Sequence, residues 1–205
     1  MIRHIYVAKL KPGTPDAKIA AWGQAIRGLS GRGMLALDFG ADLGLRDGNQ
    51  DVAITADFVD VDAWRRYDQD ERHNQIRNEH AKPIVESQQR VQFQSRRHRE
   101  QLGDIRNVTL ITLKEGTPAM VAAHASERLL TLRCKGMHHL DCGPDLGLQP
   151  GNASVGVICD FDSPEAYGVY DRDDLHNEIR RVDVLPHMEG ARRVQFELDA
   201  APVGA

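Results

Sequence analysis

Two places in the chain carry a tyrosine followed six residues later by a histidine: Tyr67 with His73, and Tyr170 with His176. An imidazole, with an ordinary pKa of about 6.5, can take a proton from a carbon next to a carbonyl group at neutral pH. A tyrosine hydroxyl can donate a hydrogen bond to the oxyanion that then develops. Each pair therefore contains the groups that enolate chemistry requires, and neither group requires a metal ion.

A structural role is the alternative for each Tyr–His pair. The first pair lies in a helical region that runs from Asp60 to about Lys82, and this region is predicted to break near Asp70. Across such a break both side chains can reach one cleft, but they can equally cap the two helices and bond backbone groups. The spacing alone leaves catalysis and helix capping as open alternatives.

Four further residues are candidates for contact with a substrate. His4 lies on a predicted first strand, on the same face as Tyr6, where an imidazole is either a hydrogen-bonded core residue or a pocket residue. Arg77 and Arg180 each follow a histidine of the pairs by one helical turn. They could hold a carboxylate or thioester end of a substrate, or form an i,i+4 or inter-repeat ion pair.

The histidines do not predict a metal site. His73 and His80 are two helical turns apart, farther than one ion requires. The adjacent His138 and His139 should point to opposite faces of a strand, and the HExxH motif is absent. We expect neither a metal nor another cofactor, since an aromatic content of 5% is low for a flavin or haem site. The glycine-rich loop 40–50 lacks the ending of a P-loop and is expected to form a pocket lip.

An internal repeat places the candidate residues in two equivalent settings. Residues 2–93 align with residues 105–196 without a gap, and roughly 37 of the 92 positions are identical. A chance match of this length is not credible, so the chain contains a duplication. Identical segments include 42–45 with 145–148, 48–49 with 151–152, and 90–93 with 193–196.

Each repeat predicts the element order β-α-β-β-α-β, which is typical of a ferredoxin-like α+β sandwich with helices on one face of an antiparallel sheet. The other face would be bare in water, so the two sheets should pack face to face as a pseudo-dimer of the dimeric α/β-barrel type. Either an αββα-layered body or a closed barrel would result. We predict domains at 1–94 and 105–199, a linker at 95–104 and a disordered tail at 200–205.

The composition argues against nucleic-acid and membrane partners. The net charge is -4, and no apolar run approaches the ~20 residues of a membrane span. The N-terminus has no secretory-signal pattern. Cys134, Cys142 and Cys159 form no CxxC motif and favour free thiols in a reducing compartment. We expect a cytoplasmic protein with a small-molecule substrate or ligand, and association of two such chains remains open.

The first strand and the second helical region resemble those of the stress-responsive A/B barrel (Dabb) family. The resemblance rests on the opening segment 3–13, on Tyr67 with His73 six residues later, and on Pro83 before the last strand. It extends over almost all of both repeats and implies a dimeric α/β barrel, here with both halves in one chain. Olivetolic acid cyclase-type members close a linear polyketide by an aldol-type reaction without metal or cofactor, so the resemblance implies that chemistry.

The resemblance also implies site residues. The family motif of a first-strand histidine, a tyrosine and a second histidine falls on His4, Tyr67 and His73 in the first repeat. In the second repeat Asn107 replaces the first-strand histidine, so the second pocket is expected to differ. The remaining second-repeat equivalents are Tyr170 and His176.

Three functions are compatible with these observations. The first is a cofactor-free enzyme acting on a small hydrophobic carbonyl compound, in the manner of a polyketide cyclase. The second is a non-catalytic stress-responsive or small-ligand-binding protein. The third is a cofactor-independent monooxygenase. We favour the enzyme, because fold alone does not choose among them and the Tyr–His pairs supply a specific chemistry.

Overall fold

The computed structural model describes residues 1–96 and 103–198, and it confirms two ferredoxin-like α+β units in tandem. Residues 97–102 of the predicted linker and the whole predicted tail at 200–205 lie outside the described residues. Both units show the predicted order β-α-β-β-α-β, with the second helical region divided in each.

The first repeat contains four strands, three α-helices and one π-helical turn. The strands are Ile2–Leu10 (β1), Met34–Ala41 (β2), Val52–Phe58 (β3) and Val85–Gln94 (β4), and the helices are Asp16–Arg27 (α1), Val61–Gln69 (α2) and Glu71–Ile76 (α3), followed by the π-helical turn Arg77–Ala81.

The second repeat contains the same elements at equivalent positions. The strands are Ile105–Leu113 (β5), Met137–Pro144 (β6), Val155–Phe161 (β7) and Met188–Glu197 (β8), and the helices are Ala119–Leu129 (α4), Pro164–Arg172 (α5) and Asp174–Ile179 (α6), followed by the π-helical turn Arg180–Val184.

Each repeat forms one antiparallel sheet of four strands, in the order β2-β3-β1-β4 and β6-β7-β5-β8. The register between β1 and β4 places His4 opposite Gln92 and Tyr6 opposite Arg90. Directly opposed residues of an antiparallel pair share a face of the sheet. These four polar side chains therefore lie on one face, and their neighbours Ile5, Val7, Val91 and Phe93 lie on the other.

The two sheets pack face to face, as the bare apolar face predicts. Strand β3 is buried at all of its residues, because helices cover one of its faces and the second sheet covers the other. The side chains between the sheets form one apolar cluster with members from both repeats. Members of this cluster include Ile5, Val7, Val91 and Phe93 from the first repeat, and Val108, Leu110, Val194 and Phe196 from the second.

Backbone hydrogen bonds join the sheets at both edges. Along β4, the amides of Leu146 and Ala153 donate to the carbonyls of Gln92 and Arg90, each at 2.8 Å. The edge at β8 is bonded in the same way by the loop that follows β2 in the first repeat. These bonds link the two sheets along β4 and β8, which favours the closed arrangement of the two that the sequence allows.

Two buried arginines extend ion pairs across the same interface. Arg3 binds Asp57 of its own sheet at 2.7 Å and Asp141 of the other sheet at 3.0 Å. Arg106 is the second-repeat equivalent, and it contacts Asp38 across the interface. A buried charge that loses its partner costs several kcal/mol. Separation of the repeats would remove one carboxylate partner of each arginine, so these ion pairs favour the assembled pair.

The second helical region of the first repeat breaks where the sequence predicts. Asp60 caps α2 by accepting a hydrogen bond from the Ala63 amide at 2.7 Å, and Asp70 caps α3 by accepting from the His73 amide at 2.8 Å. Both are Asp residues at the N-cap, where a carboxylate satisfies an amide that has no partner in the helix. The break at Asp70 changes the chain direction between Tyr67 and His73.

Candidate functional site

The break at Asp70 brings the rings of Tyr67 and His73 into contact. Their centroids are 4.2 Å apart and their planes differ by 29°, so the rings are stacked. Tyr170 and His176 stack in the same way, with centroids 4.1 Å apart and planes 24° apart. The six-residue spacing thus has a geometric meaning in both repeats: it spans a capped helix break and returns the second ring to the first.

The first pair lines a cavity of about 480 Å³ between the helices and the first sheet. The structure brings His4, Tyr6 and Arg77 to the same cavity, so all the first-repeat residues singled out from sequence meet there. One part of the wall is apolar and the rest is polar. The apolar residues are Trp22, Ile26, Ile54, Ala81 and Val85, and the further polar residues include Lys82, Gln88, Arg90 and Gln149.

Tyr67 and His73 are placed as a donor and a neutral base. Burial raises the pKa of the Tyr67 hydroxyl well above its usual value, so this group keeps its proton and can donate it in a hydrogen bond. Burial, and next the positive charge of Arg77, lower the pKa of His73, and these effects outweigh the nearby Asp68. His73 is therefore unprotonated at neutral pH. Its buried Nδ1 has no well-aligned hydrogen-bond partner among the described residues.

His4 is also neutral, and again burial is the main cause. Its side chain is almost fully enclosed, and burial, reinforced by His73 and Arg90, lowers its pKa to about 3. The side-chain amide nitrogen Nε2 of Gln92 lies 2.8 Å from the Nδ1 atom of His4. The ring centroids of His4 and Tyr67 are 6.3 Å apart, so His4 faces the stacked pair across the cavity. Both readings of His4 from sequence hold in part: it is hydrogen-bonded and buried, and it lines the pocket.

Cationic groups border the polar part of the cavity. Arg77 makes no ion pair with any residue in 1–96 or 103–198, so the ion-pair alternative for this arginine is not what the structure shows. In the part of the chain that the structure describes, the side chain of Arg90 has an amide partner and no carboxylate partner, with its Nε 3.3 Å from Oδ1 of Asn152. The Tyr6 hydroxyl donates to Oε1 of Gln88 at 2.6 Å. Asp68 and Glu86 also line the cavity, but within the described residues neither forms an ion pair with Arg77 or Arg90. A carboxylate, thioester or enolate oxygen could therefore bind these guanidinium groups.

The second repeat completes the first site. Gln149 lies in the loop after β6, lines the first cavity, and donates from Nε2 to Oδ2 of Asp68 at 2.8 Å. Its first-repeat equivalent, Arg46, pairs instead with Asp171 of the second repeat. The loop 40–50, which the sequence predicts to be a pocket lip, therefore contacts the site of the other repeat rather than its own.

The second pocket has the same Tyr–His stack but little space. Its volume is about 80 Å³, and it is lined by Asn107, Tyr170, His176 and Arg180 together with apolar residues. Arg180 donates to Oδ1 of Asn177 at 3.1 Å, a contact for which Arg77 has no counterpart among the described residues. Burial lowers the pKa of His176 to about 4.

Apolar side chains line the second pocket at positions where the first wall has smaller or charged ones. Ala81, Lys82 and Val85 of the first wall correspond to Val184, Leu185 and Met188 of the second. The Tyr170 hydroxyl also lies near the buried thiol of Cys159, whereas the equivalent position in the first repeat is Ala56, which has no polar side-chain atom. The expected difference between the pockets is therefore larger than the replacement of His4 by Asn107 alone.

Several residues of the first site are not predicted from sequence. Gln92, Gln149 and Arg90 line the cavity or bond its residues, and each lies far along the chain from the Tyr–His pair. Gln92 and Arg90 belong to an identical segment of the two repeats, and that identity is the signal that could have identified them. Gln149 carries no such signal, since Arg46 stands at its equivalent position.

The described residues contain neither a cluster of metal ligands nor a helix that could span a membrane. In residues 1–96 and 103–198, no group of three or more His, Cys, Asp or Glu side chains has the arrangement of a metal site. Within the same ranges, every helix is too short or too polar to cross a bilayer.

Similar proteins identify the family and the architecture. Residues 2–95 match the family model of the stress responsive A/B barrel domain, Dabb. No curated protein matches the chain in sequence. An anthrone oxidase-like protein of known structure superposes with a TM-score of 0.66 and 13% identity, covering 97% of this chain and 91% of its own.

Two bacterial proteins described as candidate monooxygenases share the architecture. The one from Lactobacillus acidophilus NCFM has a TM-score of 0.58 and 14% identity, covering 97% of this chain and 99% of its own. The one from Fusobacterium nucleatum has a TM-score of 0.60 and 14% identity, covering 96% and 91%. At these identities the likeness shows the fold alone. The family model is what assigns residues 2–95 to the stress-responsive A/B barrel (Dabb) family, and residues 105–197 repeat their fold within the same chain.

Proposed function

We propose that the cavity of the first repeat is the active site of a cofactor-free enzyme that converts a small hydrophobic carbonyl compound to its enolate. The observation that carries the proposal is the stack of Tyr67 on His73 beside Arg77, which has no ion pair within residues 1–96 and 103–198, at the border between apolar and polar walls. At the level of the family and fold, a small-molecule enzyme or binding protein is supported. The enolate chemistry is the finer step.

The cavity has the size and lining that such a substrate needs. Small-molecule sites usually measure about 300–1,000 Å³ and combine apolar walls with a few polar groups. The first cavity, at about 480 Å³, fits this range, with Trp22, Ile26 and Ile54 on its apolar side. A medium-length acyl chain would lie against these residues, and its carbonyl group would lie near Tyr67.

The proposed reaction uses one proton transfer and one new bond. His73, neutral at pH 7, takes a proton from the carbon beside the carbonyl group. The Tyr67 hydroxyl donates a hydrogen bond to the enolate oxygen, and Arg77 stabilises its charge. In a cyclase-type reaction the enolate carbon attacks a second carbonyl of the same chain. The resulting alkoxide takes the proton back from His73, so no oxidant or metal is consumed.

A cofactor-independent monooxygenase is the second candidate. Two proteins of similar architecture are described as candidate monooxygenases, and an electron-rich enolate is also the species that such an enzyme would present to dioxygen. The two candidates share the deprotonation step and differ in what the enolate attacks. We retain the cytoplasm and a small-molecule partner as predictions for either.

Hydrogen exchange tests the shared step directly. Medium-chain ketones and acyl thioesters are incubated with the protein in D₂O, and loss of the proton at the α carbon is followed by NMR. Tyr67→Phe should slow this exchange about 10²–10³-fold, because one oxyanion donor is lost, and the matched Tyr170→Phe should leave it unchanged. Melting temperature controls for folding.

Two further readouts separate the candidate functions. Product formation under nitrogen supports the cyclase-type reaction, and a requirement for air supports the monooxygenase. Trp22 lines the cavity, so its fluorescence reports ligand binding. Binding without exchange for every compound would overturn the enzyme and identify a small-ligand-binding protein.

A further inference from the structure

A chain of hydrogen bonds runs from a loop of the second repeat to His4. Nδ2 of Asn152 donates to Oδ1 of Asp145 at 2.8 Å and to Oε1 of Gln92 at 2.8 Å. Nε2 of Gln92 then contacts Nδ1 of His4 at 2.8 Å. We call this series Asp145–Asn152–Gln92–His4 the first relay.

The first relay has only one consistent polarity. Both oxygens of Asp145 accept from N–H groups, Oδ1 from the Gln92 amide at 3.1 Å and Oδ2 from the Gly147 amide at 2.8 Å. A carboxylate can only accept, so the atom of Asn152 that faces it must be the NH₂ group. The same NH₂ group faces Gln92, which must present its carbonyl oxygen there and its own NH₂ group to His4.

This polarity determines the tautomer of His4. Because Gln92 donates, Nδ1 of His4 must accept, and in a neutral imidazole the proton then resides on Nε2. An imidazolium would set two donors against each other at the Nδ1 contact. The ring that lines the cavity therefore offers an N–H donor and no acceptor. The same N–H excludes His4 as the general base in this tautomer and leaves that role to His73.

The second pocket has an equivalent relay, in which the two repeats exchange roles. Nδ2 of Asn49, in the first repeat, donates to Oδ1 of Asp42 at 2.9 Å and to Oε1 of Gln195 at 2.7 Å. Nε2 of Gln195 donates to Oδ1 of Asn107 at 2.6 Å. Asn107 must therefore accept with its oxygen and has its NH₂ group left as a donor. His4 and Asn107 differ in chemistry, yet both relays turn a donor toward the pocket.

We propose that the first relay is a positioning device, in which Asn152 and Gln92 hold His4 as a hydrogen-bond donor to the ligand. The inference concerns which nitrogen of His4 carries the proton, and this holds with or without a reaction. Its extension, that the Nε2–H meets a carbonyl or enolate oxygen, rests on the proposed function. Replacement of His4 by Asn107 in the second repeat then preserves the donor and loses only the imidazole.

Nitrogen NMR of the full chain labelled with ¹⁵N-histidine tests the inference without substrate. The His4 signals are identified by their loss in His4→Asn. We expect one neutral form over about pH 5 to 8, the range in which an ordinary histidine changes charge, with the proton on Nε2 and a bare Nδ1. A proton on Nδ1, or an imidazolium at pH 7, would overturn the proposal.

Paired variants test whether Gln92 sets this state. Gln92→Met removes the donor and should give a mixture of the two neutral tautomers at His4, whereas Gln195→Met removes its counterpart and should leave His4 unchanged. Retention of the pure Nε2–H form in Gln92→Met overturns the role of Gln92. An equal change in Gln195→Met overturns it as well, because the spectrum would then report loosened packing. Failure of α-proton exchange with an intact Nε2–H signal would count against the enzyme alone.

Discussion

The two pockets of this chain have the same stacked rings and very different space. The Tyr67–His73 and Tyr170–His176 stacks have nearly the same centroid distance and interplanar angle, yet the cavities measure about 480 and 80 Å³. The Tyr–His pairs are retained in both repeats, whereas the wall residues at the end of each π-helical turn and just after it are not. The difference teaches that a retained pair of functional side chains does not by itself make a site.

The largest effect should separate the two histidines. His73→Ala removes the proposed base and should lower kcat about 10²–10⁴-fold, the usual contribution of a positioned proton acceptor. His176→Ala alters a pocket without room for a substrate and should leave kcat unchanged. Turnover by each variant, with melting temperature as the control, checks the comparison. Equal losses in the two variants would mean that the stacks serve folding or that both pockets work.

Grafting the second wall onto the first should close the first cavity. In the triple variant Ala81→Val, Lys82→Leu, Val85→Met, extra apolar groups fill space that a ligand needs. Displacing them would cost about 1–3 kcal/mol, which corresponds to a loss of affinity of about 5- to 150-fold.

Ligand titration followed by Trp22 fluorescence measures the effect of the graft. Lys82→Leu alone is the matched control, since it changes the charge without filling the space beside Ala81. Unaltered affinity in the triple variant would show that the wall residues do not set the difference in volume.

The edges of the barrel allow a matched test of stability. A Cβ atom on Gly40 would lie 2.1 Å from Cδ2 of Phe196, whereas a Cβ atom on Gly143, its equivalent, would lie 3.0 Å from Cδ2 of Phe93. Gly40→Ala should lower the free energy of unfolding by about 1–3 kcal/mol through overpacking, and Gly143→Ala by less. Urea unfolding midpoints of the two variants measure this difference. A larger loss of stability in Gly143→Ala than in Gly40→Ala would contradict this account of the interface.

The smallest effect concerns pH. A lowered pKa keeps His73 neutral as the pH falls below the ordinary value of about 6.5, and kcat/KM is lost only when the pH falls through the lowered pKa. Arg77→Leu removes a positive charge that lowers this pKa, so the acidic limb of kcat/KM should move to higher pH. Arg180→Leu should leave the limb in place. A shift toward lower pH would contradict the assignment of His73 as the base.

The fold could be predicted because its signals lie within each repeat. Asp60 and Asp70 cap helices through their own neighbouring amides, so the helix starts and the break are local properties of the sequence. The apolar run of β3 predicts a strand covered on both faces, and the duplication supplies the second cover. Face-to-face packing follows, because the sheet of one repeat covers the bare apolar face of the other.

The site could be predicted only where its contacts are local or where the family resemblance supplies them. Tyr67 and His73 are six residues apart, and their pairing follows from the break between them. Gln92 meets Asn152 across 60 positions and between repeats, and no periodic pattern marks such a contact. The volume of the second pocket depends on how Met188 and its neighbours pack, which residue types alone do not determine.

The exchange of loops between the repeats has a consequence for genetics. Asp145, Gln149 and Asn152 belong to the second repeat by sequence, but they act on His4 and Asp68 of the first. A collection of random alleles that abolish the first site without unfolding the protein should therefore contain lesions in both halves of the gene. Lesions at His176 or in the loop 42–49 should appear in it only where they destabilise the fold, because the pocket that they border is the filled one.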